Sequence, residues 1–116
     1  MKILRRVRII AESKELLKIQ DNYLNLESEK ETLVDLLKEL NKTKKDVKSK
    51  SKFYASEINS FQSKLSTDFI NKCQKFISDS KKSMSKLEKF EKDDITETYL
   101  KPVEDWKKQI PSVIEI

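Results

Sequence analysis

A chain of 116 residues with 39% charged and 36% hydrophobic side chains has room for one small domain, and its net charge of +5 favours acidic partners without choosing among them. It has no glycine, no histidine and a single cysteine, which excludes glycine-rich phosphate loops, imidazole-assisted nucleophiles, histidine or thiolate metal clusters and an intrachain disulfide. We therefore expect no enzyme, no cofactor and no small-molecule substrate. Its longest apolar run falls far short of the roughly 20 residues that span a bilayer.

The first eleven residues carry Lys2, Arg5, Arg6 and Arg8 and no acid, and these three arginines are the only ones in the chain. Ile3, Leu4, Val7 and Ile10 lie near one helical face. Three readings stand side by side. The segment is an amphipathic surface helix, a mitochondrial-type presequence, or the first turns of a longer helix.

From Leu16 onward the apolar residues step by three and four. They fall at Leu16, Ile19, Tyr23, Leu26, Leu33, Leu37, Leu40, Val47, Tyr54, Ile58, Phe61 and Leu65, with Lys30, Lys44 and Ser51 filling the gaps. This is a heptad seam, and it predicts one helix over about 3–65. Its packing interface is Leu26, Leu33, Leu37, Leu40, Val47, Tyr54, Ile58, Phe61 and Leu65. Lys44 and Ser51 on the seam either fix register or mark where the helix bows from its partner.

After Leu65 the same steps land on charged residues, while the apolar stripe moves to Phe69, Cys73, Phe76, Ile77, Met84, Leu87 and Phe90. Either a stutter carries one helix onward, or Ser66, Thr67 and Asp68 end one helix and cap the next. The preferred reading is the break, with a second helix over about 68–100. Pro102 lacks the N–H of a helix interior and predicts a kink. A short segment follows over 103–110, carrying Val103, Trp106 and Ile110, and Pro111 ends it. Cys73 reads as a small buried hydrophobe suited to a reducing compartment. Trp106 reads as a packing anchor.

Lys44, Lys45, Lys48 and Lys52 fall within an arc of about 100° at the helical rotation per residue, roughly a quarter turn from the seam. Together with Lys2, Arg5, Arg6 and Arg8 they are the candidate contacts to an anionic membrane. The competing reading of the lysine stripe is a solvated face. Charge alone also admits nucleic acid, but this ranks below the other readings, because the aromatics fall on the seam rather than between the lysines and leave no stacking platform.

The strings L-V-D-L-L-K-E-L at 33–40 and K-F-Y-A-S-E-I-N-S-F at 52–61 resemble the first long helix of BAR domains. I-T-E-T-Y-L-K-P-V-E-D-W at 95–106 is similar to the proline-containing kink of that family's second long helix. The resemblance covers roughly 23–108 and lacks the family's third long helix. It implies a crescent-shaped antiparallel homodimer that binds curved anionic membranes through lysines, here through the stripe at Lys44, Lys45, Lys48 and Lys52.

The expected fold is thus all-α: heptad-patterned helices in a hairpin or coiled-coil bundle, completed by a second copy or by other helical proteins. The expected function is a self-associating, membrane-binding scaffold, with a structural coiled-coil subunit of a larger assembly as the first alternative and a basic helical nucleic-acid binder as the second. A cytoplasmic location is expected, peripheral at a membrane under the first reading and mitochondrial under the presequence reading.

Overall fold

A computed structural model describes residues 2–115, with side chains from Lys14 to Glu115. The basic side chains Lys2, Arg5, Arg6 and Arg8 lie outside the described ones. The chain is all-α. Helix α1 runs Lys2–Lys48, α2 Lys52–Met84, α3 Lys89–Ile95 and α4 Lys101–Val113, with a π-helical turn Thr96–Leu100 joining the last two. Among the described residues there is no strand.

The first break falls at residues 49–51 and not at 66–68, so the single helix over about 3–65 is corrected to two. The sequence around the true break is Lys48-Ser49-Lys50-Ser51-Lys52, with no apolar residue to hold it against a neighbour. Lys44, Lys48 and Lys52 would also stand at four-residue spacing on a continuous helix, where like charges repel. Ser51 caps α2 instead: its backbone is extended and its hydroxyl accepts from the Tyr54 N–H at 3.3 Å. The Lys50 and Ser51 N–H groups close the turn on the Val47 carbonyl. Ser66, taken as a cap residue in the sequence, is buried within α2.

The second helix accordingly starts at Lys52 and ends at Met84, where Ser85–Glu88 turn the chain back. Leu87 buries itself in that turn. The backbone irregularity expected at Pro102 lies just before it. Proline offers no N–H to the preceding turn, and the chain widens over Thr96–Leu100, where the Lys101 N–H reaches the Thr96 carbonyl five residues back. Pro111 does not end the last helix, which continues to Val113.

These helices form an up-down-up bundle measuring 73 × 17 × 16 Å. Helix α1 pairs antiparallel with α2, and α4 returns alongside both, with Trp106 stacked on Tyr23 at 5.3 Å and Asn41 bonded to the Val113 carbonyl. The chain therefore does supply a third helix, short and bent. Ile19, Leu26, Leu33 and Leu37 of α1, Phe69, Cys73, Phe76, Ile77 and Met84 of α2, Leu100 of the π-helical turn, and Val103, Trp106 and Ile110 of α4 belong to one buried core. Lys30 lies 5.1 Å from the centre of the Trp106 ring, so its stem covers the indole while the amine attracts the ring face.

The seam of α1 is the one its sequence spells, and that of α2 is displaced by one residue. In α2 the buried positions are Ala55, Gln62, Ser66, Phe69, Cys73, Phe76, Ile77, Ser80 and Met84. Of the residues read as its packing interface, Tyr54 is 63% and Phe61 49% exposed, while Ile58 and Leu65 are half-buried. The large apolar cluster from Phe69 to Met84 dictates which face of α2 turns inward, and the turn at 49–51 lets that face differ in phase from α1.

Candidate functional site

The displaced seam places polar residues in the core near the α1–α2 turn. Gln62 is fully buried. Its Nε2 donates to the Leu37 carbonyl at 3.1 Å and to Asn41 Oδ1 at 2.7 Å, and its Oε1 accepts from Lys44 Nζ at 2.8 Å. Lys44 Nζ also donates to Asn59 Oδ1 at 3.2 Å and to the Glu115 carbonyl. Asn41 ties in the end of α4, donating to the Val113 carbonyl at 2.8 Å and accepting from the Glu115 N–H at 3.1 Å. All three protons of the ammonium thus have acceptors, which a buried charge requires. Burial still lowers the Lys44 pKa; Glu115 opposes that shift and Lys48 adds to it.

This clamp forms the floor of a cleft of about 360 Å³ lined by Asn41, Lys44, Lys45, Lys48, Lys52, Ala55, Ser56, Asn59 and Glu115. The four lysines of the sequence stripe are therefore brought together at one end of the bundle, across two helices and the turn between them. They do not act alike. Lys44 is buried and spent on the clamp. Lys45 forms an ion pair with Glu115 at 2.9 Å. Lys48 and Lys52 are exposed and have no ion pair among the described residues. Glu115 is the only acid lining the cleft among the described residues.

A second feature is an apolar flank on the face opposite α4. At about 100° per residue, Leu36, Leu40 and Val47 fall on one side of the α1 seam, away from Tyr23 and Asn41, which meet α4. Tyr54, Ile58, Phe61 and Leu65 fall on the matching side of α2, away from Gln74, which receives the Lys107 amine of α4. Leu36 and Leu65 line one groove of about 430 Å³ with Leu33 and Phe69, so the two half-stripes meet. Leu36, Tyr54 and Phe61 are 39%, 63% and 49% exposed. The Glu29–Lys72 ion pair at 3.2 Å bounds this flank at one end and the α1–α2 turn bounds it at the other.

Sequence reasoning missed Asn41, Asn59, Gln62 and Glu115. The signal for two of them was present: stepping backward by three and four from Phe69 gives Ser66, Gln62, Asn59 and Ala55. Glu115 carries no signal of its own, because only the return of α4 brings it to the turn.

Among the described residues no group of histidine, cysteine or acidic side chains is arranged to hold a metal, and no helix is long and apolar enough to cross a membrane. No family model, no curated protein and no solved structure matches the chain.

Proposed function

We propose that this protein is a non-enzymatic helical scaffold that self-associates through the apolar flank of its α1–α2 hairpin. The observation carrying this reading is the uncharged stripe of Leu36, Leu40, Val47, Tyr54, Ile58, Phe61 and Leu65 on the side that α4 leaves open. Contiguous exposed apolar surface on a small domain marks an interaction site, and aromatic residues at its centre supply the anchors of such sites. A second copy fits the flank because a stripe without charge can face itself across a two-fold axis with no like-charge penalty. Further helices of a larger assembly are the alternative occupants. Sedimentation over a range of protein concentrations tests the reading. The native chain should dimerise, and a Leu36→Ser/Phe61→Ser variant should remain a helical monomer. A native chain that is monomeric throughout overturns self-association.

A second reading is favoured by the clustering of Lys45, Lys48 and Lys52 at one end of the rod: the scaffold meets anionic membrane surfaces with that end, in the manner implied by the BAR resemblance. Each lysine near such a surface contributes about 1 kcal/mol. The match to that family is looser on the folded chain than in the sequence, since the strings at 33–40 and 52–61 stand on two helices separated by a turn. Co-sedimentation with phosphatidylserine vesicles that is lost at high salt supports this reading, and no retention at low salt ends it.

A further inference from the structure

The geometry points to a phosphate-binding cleft at the α1–α2 turn, held by Lys45, Lys48, Lys52 and Asn59, in which the Glu115 carboxylate is a built-in competitor for the ligand. This inference rests on the second reading above, that the lysine end meets anions, and adds to it the ligand chemistry and the gate.

The chain itself demonstrates what the cleft attracts. Among nine lining residues four are lysines and one is an acid, and that acid is bound to Lys45. The pair is exposed on both sides, with 71% of the lysine side chain and 54% of the glutamate accessible, so the bond is weak and open to exchange. Lys48 and Lys52 have no ion pair among the described residues. Asn59 is oriented by the clamp: its Oδ1 accepts from Lys44, which leaves the Nδ2 group as a donor. The Ser56 hydroxyl lines the same cleft. A phosphate monoester offers several anionic oxygens at once, and so can engage three ammonium groups and an amide where one carboxylate engages only Lys45. Buried Lys44 is the fixed part of the arrangement. It holds Asn59 and the Glu115 backbone from below, and it does not need to move when the Glu115 side chain leaves.

Displacing the Glu115 carboxylate leaves the Lys44 and Asn41 bonds to its backbone intact, so the gate is the side chain alone. Phosphate on a soluble molecule and phosphate on a lipid headgroup present the same chemistry, and the test separates them.

Inositol 1,4,5-trisphosphate, titrated calorimetrically at about 0.1 M salt, should bind the native chain saturably. Glu115→Gln should bind it about twofold to fivefold more tightly, the range an exposed ion pair is worth. Lys48→Ser/Lys52→Ser should weaken binding by about tenfold or more, while Lys75→Ser/Lys82→Ser, which removes equal charge from exposed sites elsewhere on α2, should have little effect. All these positions are exposed, and unchanged helical circular dichroism confirms that each variant folds. The proposal falls if neither the native chain nor Glu115→Gln binds saturably, or if the control pair weakens binding as much as the cleft pair. Vesicles bearing phosphatidylinositol 4,5-bisphosphate, compared with phosphatidylserine vesicles of equal charge, identify the source. Binding to trisphosphate without sedimentation of either vesicle supports the cleft with a soluble ligand and removes the membrane reading. Equal sedimentation with both vesicles and no trisphosphate binding keeps the membrane reading and overturns the cleft.

Discussion

Truncating Gln62 to alanine should be among the most damaging polar changes in the chain. The residue is 0% exposed and makes hydrogen bonds to the Leu37 carbonyl, Asn41 Oδ1 and Lys44 Nζ. A neutral hydrogen bond contributes about 0.5–1.5 kcal/mol net and one to a charged group about 1.5–3 kcal/mol, and the truncation adds an unfilled volume between α1 and α2. A loss of about 3–5 kcal/mol follows, a large part of the roughly 5–15 kcal/mol of a typical domain. Gln62→Leu fills the space but orphans one proton of a buried ammonium, and should cost less than alanine while remaining destabilising. Gln62→Glu provides Lys44 with a carboxylate yet loses the donor facing Leu37 and Asn41, so it should not restore native stability. Urea unfolding followed by circular dichroism measures all three. The double variant Asn41→Ala/Gln62→Ala should fall short of the sum of the singles, because the two side chains share a bond. A Gln62→Ala variant within about 0.5 kcal/mol of native would refute the claim that this end of the core is held by polar contacts.

Other expectations follow from the same packing. Leu37→Ala, at a fully buried seam position, should cost about 2–5 kcal/mol, whereas Phe61→Ser should cost the isolated monomer little and act on self-association instead. Trp106→Ala removes the ring stacked on Tyr23 and lying under Lys30 and should cost about 3–5 kcal/mol, read by thermal unfolding. Burial pushes the Cys73 thiol up to about 11, so the folded chain should resist thiol reagents at mildly alkaline pH and react once unfolded in urea. The sign for stability is fixed by that raised value. The contribution is complete below the thiol's ordinary pKa of 9.0 and is lost as pH rises from there through about 11, which unfolding titrations across that window will show.

The helical class was legible because the apolar residues of 16–47 repeat without a slip, and Ile19, Leu26, Leu33 and Leu37 are buried as that repeat requires. The turn at 49–51 was not legible, for a physical reason: with no glycine in the chain its signal is only Ser and Lys, residues that also decorate exposed helix faces. The apolar residues at 54, 58, 61 and 65 continue the α1 heptad across the turn, and that continuity concealed the break. The apolar shift after Leu65 was real, but it marks where the flank yields to the seam within one helix. The lysine stripe was legible as a cluster. That the residues after α4 would bring a carboxylate to it was not, because contacts separated by seventy residues or more leave no local pattern.

The flank and the clamp have one cause. Had the seam of α2 continued the α1 heptad, Tyr54, Ile58, Phe61 and Leu65 would face α1, and Gln62 and Asn59 would lie beside the interface. The cluster from Phe69 to Met84 instead fixes the rotation of the whole helix, since an α-helix transmits phase rigidly along its length. The first half of α2 must then bury Ala55, Gln62 and Ser66 and leave its larger apolar residues at the side. A core built of such small and polar residues needs a hydrogen-bonded network to hold it, and Asn41, Lys44 and Gln62 supply one. The displaced aromatics stay exposed, and covering them in the proposed dimer would contribute about 25 cal/mol per Å² of apolar surface. The two halves of α2 therefore differ: the half from Phe69 onward holds the bundle together, and the half nearest the turn buries small and polar residues and leaves Tyr54 and Phe61 exposed, which is the surface the proposed self-association would use.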